Sequence, residues 1–585
     1  MRHPIARNTF YLVFLMGALI FPLSASSGGA NTSQSQPEGY PIGSDVQTTL
    51  QRTVVPDPPS ASTTISPSEV SQYKQNGYGS WHYGSPLDAK KQLDIMPAAY
   101  TGASVTHTAS LLHFFTISDI HITDKESPSS AIELGLKDGI SSGYSPVMLY
   151  TTHVLDAAVQ TINALHKQHP IDFGISLGDA CNNTQYNEIR WYVDVLDGRV
   201  ITPSSGVHGG ADTIDYQKPY KAAGLDKTIN WYQALGNHDH FWMGTNPVTD
   251  YLRQNYVGTN ILELGDIFAD PAGGISKRQY YMGTLDGSTP YGDVKSAGLV
   301  STFASPQQIA ADPNRRSLSR KEWMNEFFRT SSNPVGHGFT RANVDNDFAS
   351  YSFQPKSAIP IKVIVLDDTQ KDDDINPPFI KGTSSPGYGH GSLDKERYDW
   401  LVNQLDDGQA DGQLMIIAAH IPIGVEPAHS YVGWNSAAYV SQTDLIAKLH
   451  TYPNLILWLA GHRHYNTVTP LVSPDPVNHP ELGFWEVETS SLRDFPQQFR
   501  TFQIVRNSDN TISIFTTNVD PAVKDGSPAA ISRSYAIAAY QLYAKTLSGN
   551  PLPLLPTGSY NAELVKELIP GMQAKIKNYG TAILK

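Results

Sequence analysis

The chain has 585 residues, 40% of them hydrophobic, with a formal net charge of -13 and a pI near 5.8. That is enough apolar material for one large domain with insertions or for two to three domains, and it excludes a chain disordered throughout. The acidic balance argues against a nucleic-acid or anionic-membrane binder, which needs clustered Lys and Arg. The single cysteine, Cys181, excludes an internal disulfide framework.

At the N-terminus, Arg2, His3 and Arg7 precede the apolar run Phe10–Phe21, and Pro22-Leu23-Ser24-Ala25 ends in small residues. This is the layout of a secretory signal over 1–25. The run is too short for a membrane span of about 20 residues. The expectation is an exported protein, periplasmic or extracellular, with no stable span after signal removal. Residues 26–106 begin rich in Ser, Thr, Pro and Gly and read as a flexible segment that becomes ordered.

A domain over 107–520 opens with Leu111–Ser118, a continuous apolar run suited to a strand covered on both faces. Thr151–His166 then places Val154, Ala157, Ala158, Ile162 and Leu165 on one helical side. Ile171–Leu177 reads as a strand, Glu188–Leu196 as a helix and Asn230–Leu235 as a strand. This alternation predicts an α/β layered fold. Between 240 and 350 the rhythm is lost to Gly, Pro, Asp and Tyr, and one helix is expected at Arg320–Arg329. The stretch reads as a loop-rich insertion over a site mouth. Regularity returns with strand Ile359–Leu366 and with a helix N-capped by Ser392 that packs through Leu393, Trp400, Leu401 and Leu405. Strands Leu414–Ala418, Leu455–Leu459 and Phe484–Val487 follow, with helix Gln442–His450 among them. Phe499–Val505 and Thr511–Thr517 form a hairpin. A C-terminal extension, 521–585, reads as partly helical over Ala562–Tyr579, interrupted at Pro570-Gly571.

Five apolar runs end in polar sets: Asp119-Ile120-His121, Gly178-Asp179, Gly236-Asn237-His238-Asp239, His420, and Gly461-His462-Arg463-His464. Parallel strands present their C-terminal loops along one edge, so such donors can meet at a point. Asp, Asn and His donors without thiolate suit Zn, Mn or Fe. Cys181 reads as a small buried filler. Five motifs exceed the needs of one metal, and two cations about 3.5–4 Å apart are usual for phosphoryl chemistry. Any one of the 19 histidines is more commonly a surface or core residue; the argument rests on the five blocks together.

In that order the blocks resemble the calcineurin-like metallophosphoesterase superfamily, from Asp119 to His464, with an unusually long insertion between Asp239 and His420. The resemblance implies two packed mixed β-sheets flanked by helices, a four-layer sandwich. It implies one metal on Asp119, His121 and His464, a second on Asn237, His420 and His462, and Asp179 bridging them. Asn237 and His238 would lie at the substrate phosphate, with His238 protonating the leaving oxygen. Asp239 joins His238 as a catalytic candidate, as an orienting carboxylate or only a helix-start one. Purple acid phosphatases carry an iron-ligating tyrosine three residues after the bridging aspartate, and calcineurin-type phosphatases an aspartate that partners the catalytic histidine. Asn182 stands there, so no tyrosinate–iron site is expected, and Asn182 offers His238 only a hydrogen bond. His390 and His429 read as ordinary loop residues.

The function expected is an exported phosphoester hydrolase, phosphodiesterase or phosphatase, acting on a small-molecule phosphate ester through a hydroxide activated by two Mn, Fe or Zn ions. The alternatives are a non-catalytic exported binding protein with a structural metal site, and a metallohydrolase of C–N or C–O bonds.

Overall fold

Two sheets position everything that follows, and each takes its register from alternating apolar faces. The computed structural model describes residues 46–59, 64–264, 280–373, 388–426, 433–548 and 559–583, all within one compact unit. The signal-like stretch 1–25 and His429 lie outside the described residues.

The seven-stranded sheet runs, in spatial order, Lys90–Gln92, Asn561–Lys566, Ile512–Val519, Phe499–Asn507, His107–Ile117, Phe173–Ser176 and Asn230–Gln233. Its last three strands are parallel. The six-stranded sheet runs Tyr351–Phe353, Ile361–Val365, Leu414–Ala418, Leu455–Ala460, Phe484–Glu488 and Thr467–Leu471, with its middle four strands parallel. The two sheets share a core. Val363, Val365, Leu414, Ile416 and Ala418 from one join Phe114, Phe173, Phe502 and Ile504 from the other. Phe114 stacks between Phe173 and Phe502 at 4.8 and 4.9 Å. The alternate residues Ile364, Met415 and Ile417 turn the other way and pack under helices Lys395–Ala410 and Gln442–Leu449 through Leu401, Leu405, Leu445 and Leu449. Burial on both faces explains why these strands read as unbroken apolar runs. Helices Thr151–Gln168 and Tyr186–Asp197 belong to the shared core. The fold is a sandwich of two mixed sheets with helices outside.

Three local expectations need correction. Asp394, not Ser392, caps the Lys395–Ala410 helix, its carboxylate accepting from Arg397 N at 2.8 Å; an ionised cap also complements the helix dipole. The expected helical content of Ala562–Tyr579 is largely a strand, Asn561–Lys566, because Ala562 and Leu564 alternate into the core. Pro570 opens the short helix Pro570–Ile576, at a position where no intrahelical amide bond is lost. Within 240–350 the chain is more regular than its composition shows. It holds helices Asp250–Val257, Arg320–Glu326 and Arg341–Asn346 and the antiparallel sheet of Glu263–Leu264, Tyr280–Asp286 and Asp293–Leu299. Each element is too short to display a period. Among the described residues no helix is long and apolar enough to cross a membrane.

Candidate metal centre

The parallel strands of both sheets end at one place. His107–Ile117 delivers Asp119 and His121, Phe173–Ser176 delivers Asp179, and Asn230–Gln233 delivers Asn237 and His238. From the opposite sheet, Leu414–Ala418 delivers His420, and Leu455–Ala460 delivers His462 and His464. In one half, His464 Nε2 stands 3.1 Å from His121 Nε2 and 3.4 Å from Asp119 Oδ1. In the other, Asn237 Oδ1 stands 2.9 Å from His420 Nε2 and 3.1 Å from His462 Nδ1. Asp179 joins them: its Oδ2 is 3.5 Å from His121 Nε2 and 3.4 Å from His420 Nε2.

The backbone is unusual here. Asp119, His121, Asp179, His462 and His464 all adopt left-handed φ values, 50, 47, 55, 76 and 64°. Non-glycine residues rarely do this, and such strain collects at functional sites. Close approach explains two of the motif glycines. A Cβ on Gly236 would lie 2.2 Å from Asp179 N, and one on Gly461 would lie 1.9 Å from Ser118 Oγ and 2.5 Å from Asp119 Oδ2.

The outer ring nitrogens aim the inner ones. His121 Nδ1 donates to Asn182 Oδ1 at 3.1 Å, His420 Nδ1 to Leu177 O at 2.8 Å, and His464 Nδ1 to Asp494 Oδ2 at 2.5 Å. Each Nε2 is thereby directed inward, as metal-binding histidines are held. Asn237 Nδ2 donates to Gly244 O at 2.9 Å, which fixes its amide with Oδ1 facing His420 and His462.

Charge completes the picture. Asp119, Asp179, Asp239 and Asp368 are buried, and among the described residues none pairs with a Lys or Arg; the ion pairs of Asp119 and Asp179 are with histidines, and Ser118 Oγ donates to Asp119 Oδ2 at 2.5 Å. Burial works to lower the His420 and His464 pKa values, yet both are pushed up to about 10, His420 by Asp179 and Asp119, His464 by Asp119 and Asp494. Burial itself holds His121 and His462 well below the ordinary imidazole value. The Asp179 carboxyl lies well below its ordinary value despite burial, because His420 and His238 stabilise its charge. The inward N and O donors without thiolate fit Zn, Mn or Fe.

His238 lies against this cluster, its ring edge-on to His121 at 4.5 Å between centroids. Its Nδ1 donates to the backbone O of Asn182 at 2.7 Å, not to the Asn182 side chain that the sequence pointed to. That side chain is spent on His121 and on Arg493 Nη1, 3.0 Å away. Asp239 turns both oxygens onto backbone amides: Oδ2 accepts from Asp179 N at 3.0 Å and Gly236 N at 2.9 Å, and Oδ1 from Cys181 N at 3.0 Å. Asp239 is not among the residues that line the cavity beside His238. Burial, with the Asp179 charge, pushes its pKa up to about 8. Cys181 is fully buried.

Two supports escaped the sequence reading. Asp368 accepts from His420 N at 3.1 Å and Ile421 N at 3.0 Å and so sets the His420 turn. It too follows an apolar strand, and that signal was present. Asp494, behind His464, carries no such mark. The mouth is a cavity of about 380 Å³ that reaches Asp179, Asn237, His238, His462 and His464. Its walls come from Ala131–Gly143, before the first helix of the core, as well as from Trp242–Thr245 in the insertion. His390 is buried in a loop, with Nδ1 bonded to Gly433 O at 3.2 Å.

No protein-family model matches the chain, and no curated protein does. Among solved structures it is similar to a dimetal phosphatase from Danio rerio, at 10% identity and a TM-score of 0.35, over 71% of this chain and 100% of that one. A likeness at that score adds nothing to the geometry.

Proposed function

We propose that the protein is a metal-dependent hydrolase of phosphoric esters. The observation that carries this reading is a single carboxylate oxygen, Asp179 Oδ2, facing two halves of an N/O donor set at 3.5 and 3.4 Å. Asp119, His121 and His464 would hold one cation and Asn237, His420 and His462 a second, with Asp179 shared. Cations so held supply Lewis acidity toward the phosphoryl oxygens and an activated water. The chain itself provides placement and proton transfer. Asn237 and His238 line the cavity beside the donors, where the ester phosphate would sit. The Asn182 carbonyl accepts the His238 Nδ1 proton, so Nε2 is the ring atom left for a leaving oxygen and carries a proton to it when the ring is doubly protonated. Burial lowers the His238 pKa, which disfavours that doubly protonated ring, and the Asp179 charge pulls the other way.

A purely structural metal site has no use for a histidine held in this way, which favours the enzyme over the binding-protein alternative. The test is turnover of p-nitrophenyl phosphate esters by cation-loaded protein, alongside His238→Ala with its metal content measured. Retained metal with turnover lowered roughly 10²- to 10⁴-fold is expected; equal and negligible turnover in both proteins removes the proposal. Export to the periplasm or the exterior is proposed on the 1–25 pattern alone.

A further inference from the structure

We propose that this site selects singly charged phosphodiesters bearing an apolar, preferably aromatic, arm over doubly charged monoesters. The inference rests on the phosphoesterase reading above and concerns what surrounds the phosphate. A cavity of about 380 Å³ is of the size that encloses a whole small organic molecule and not phosphate alone. Its lining includes Ala131, Leu134, Ile140, Trp242, Met243 and Tyr465; Leu134, Ile140 and Tyr465 expose surface there, with the buried Ala131, Trp242 and Met243 packed behind them. Trp242 and Met243 follow His238 in the chain, Tyr465 follows His464, and the others come from a separate segment, so apolar surface reaches the site from three directions of the chain.

The wall is preformed. Trp242 Nε1 donates to Ser129 O at 2.8 Å, and Met243 N to Asn183 Oδ1 at 3.1 Å. The Gly139–Gly143 loop is tied to the residues that support the donors. Arg493 Nη2 donates to Ser141 O at 2.9 Å, Ser141 Oγ to Asp494 Oδ2 at 2.7 Å, and Asn182 Nδ2 to Ser142 O at 3.2 Å. A rigid apolar wall favours a substituent that fills it without ordering cost.

Charge points the same way. Among the described residues that line the cavity, the one Lys or Arg is Arg463. Its guanidinium is held by Glu488 at 2.7 Å and by Glu426 at 2.5 Å. Glu426 itself lines the mouth. A second negative charge on the phosphate would meet that carboxylate and find the guanidinium already engaged. A diester presents one charge and places its second organic group on the wall.

The experiment compares phenyl p-nitrophenyl phosphate, methyl p-nitrophenyl phosphate and p-nitrophenyl phosphate on cation-loaded protein, with calorimetric binding of diphenyl phosphate and dimethyl phosphate as a readout independent of turnover. The phenyl diester is expected to exceed the methyl diester in kcat/KM by roughly 10-fold or more, and both to exceed the monoester. Tyr465→Ala and Leu134→Ala should shrink the phenyl-to-methyl ratio, and Glu426→Gln should raise the monoester relative to the diesters. Preference for the monoester, or a phenyl-to-methyl ratio unmoved by both wall variants, overturns the inference even if esters are cleaved. If no ester turns over, the phosphoesterase reading falls and this inference with it; if esters turn over but diphenyl phosphate binds no more tightly than dimethyl phosphate, this inference alone fails.

Discussion

Gly461→Ala separates packing from backbone strain at the metal centre. Gly461 is not among the residues with positive φ, so alanine meets no conformational penalty there. Its Cβ would sit 1.9 Å from Ser118 Oγ, 2.5 Å from Asp119 Oδ2 and 3.0 Å from Ser118 Cβ. Ordinary contact begins at 3.4 Å, so Asp119 Oδ2 must retreat by about 0.9 Å (3.4 less 2.5), and Oδ1, the oxygen that faces His464, moves with it. Metal–ligand distances tolerate only about 0.2 Å. The substitution should therefore cost about 1–3 kcal/mol of stability through overpacking and weaken cation binding by roughly 100-fold or more, through loss of one carboxylate donor. Ser118→Ala in the same chain removes the 1.9 Å clash and leaves the one at 2.5 Å. The double variant should regain stability without regaining affinity. Urea unfolding and calorimetric cation titration on the single and double variants measure the two effects independently. Wild-type affinity in Gly461→Ala, or rescue of both properties by Ser118→Ala, would refute the placement of Asp119 as a donor.

Asp239→Asn should keep the fold, by far-ultraviolet circular dichroism, while lowering cation affinity roughly 10- to 100-fold. The asparagine amide nitrogen only donates, so its one carbonyl oxygen cannot serve all three backbone N–H groups that the two carboxylate oxygens now accept from; unchanged affinity in a cation titration counts against its positioning role. Lys566 gives a pH test away from the site. Burial lowers its pKa from 10.5 to about 7, and Nζ donates to Glu481 O and Gly483 O, each at 2.6 Å. Below about pH 7 both folded and unfolded states are charged and the burial penalty is felt in full. Between about 7 and 10.5 the unfolded chain binds more protons, so stability rises with pH. From pH 7 to 9 the rise in wild type over Lys566→Met should be about 2–3 kcal/mol, read from urea unfolding at both pH values; parallel pH profiles would show that the ammonium is not penalised.

The legible part of the fold was the part buried on both faces. Ile361–Val365, Leu414–Ala418 and Leu455–Ala460 are continuous apolar runs because one set of alternate residues meets the opposite sheet and the other meets helices. Asn561–Lys566 escaped because its alternation is brief and lies beside a proline-led helix. The donors were legible because each ends such a run, and the structure brings all of them together. Their supports were less so. Asp494 reaches His464 from a loop with no periodic neighbour, and Asn182 serves His121 with its side chain but His238 with its backbone. No side-chain pattern reports a backbone carbonyl. The wall at Ala131–Gly143 was hidden because the helix Ile132–Asp138 and the loop after it are too short to display a period, and a few apolar residues there look the same whether they line a cavity or fill a gap.

Left-handed backbone at five of the donor positions also leaves no trace in the sequence. Each such residue costs about 1–3 kcal/mol, so this conformation persists only where its surroundings hold it. Buried carboxylates do much of the holding: Asp239 takes the amides of Gly236, Asp179 and Cys181, Asp119 that of His462 at 2.9 Å, and Asp368 those of His420 and Ile421. The groups that fix the turns are thus the same buried carboxyl groups that lack Lys or Arg partners. Cations at the centre would offset both costs at once, neutralising the carboxylates and tying down the strained turns, so donor geometry and backbone strain call for the same ligand.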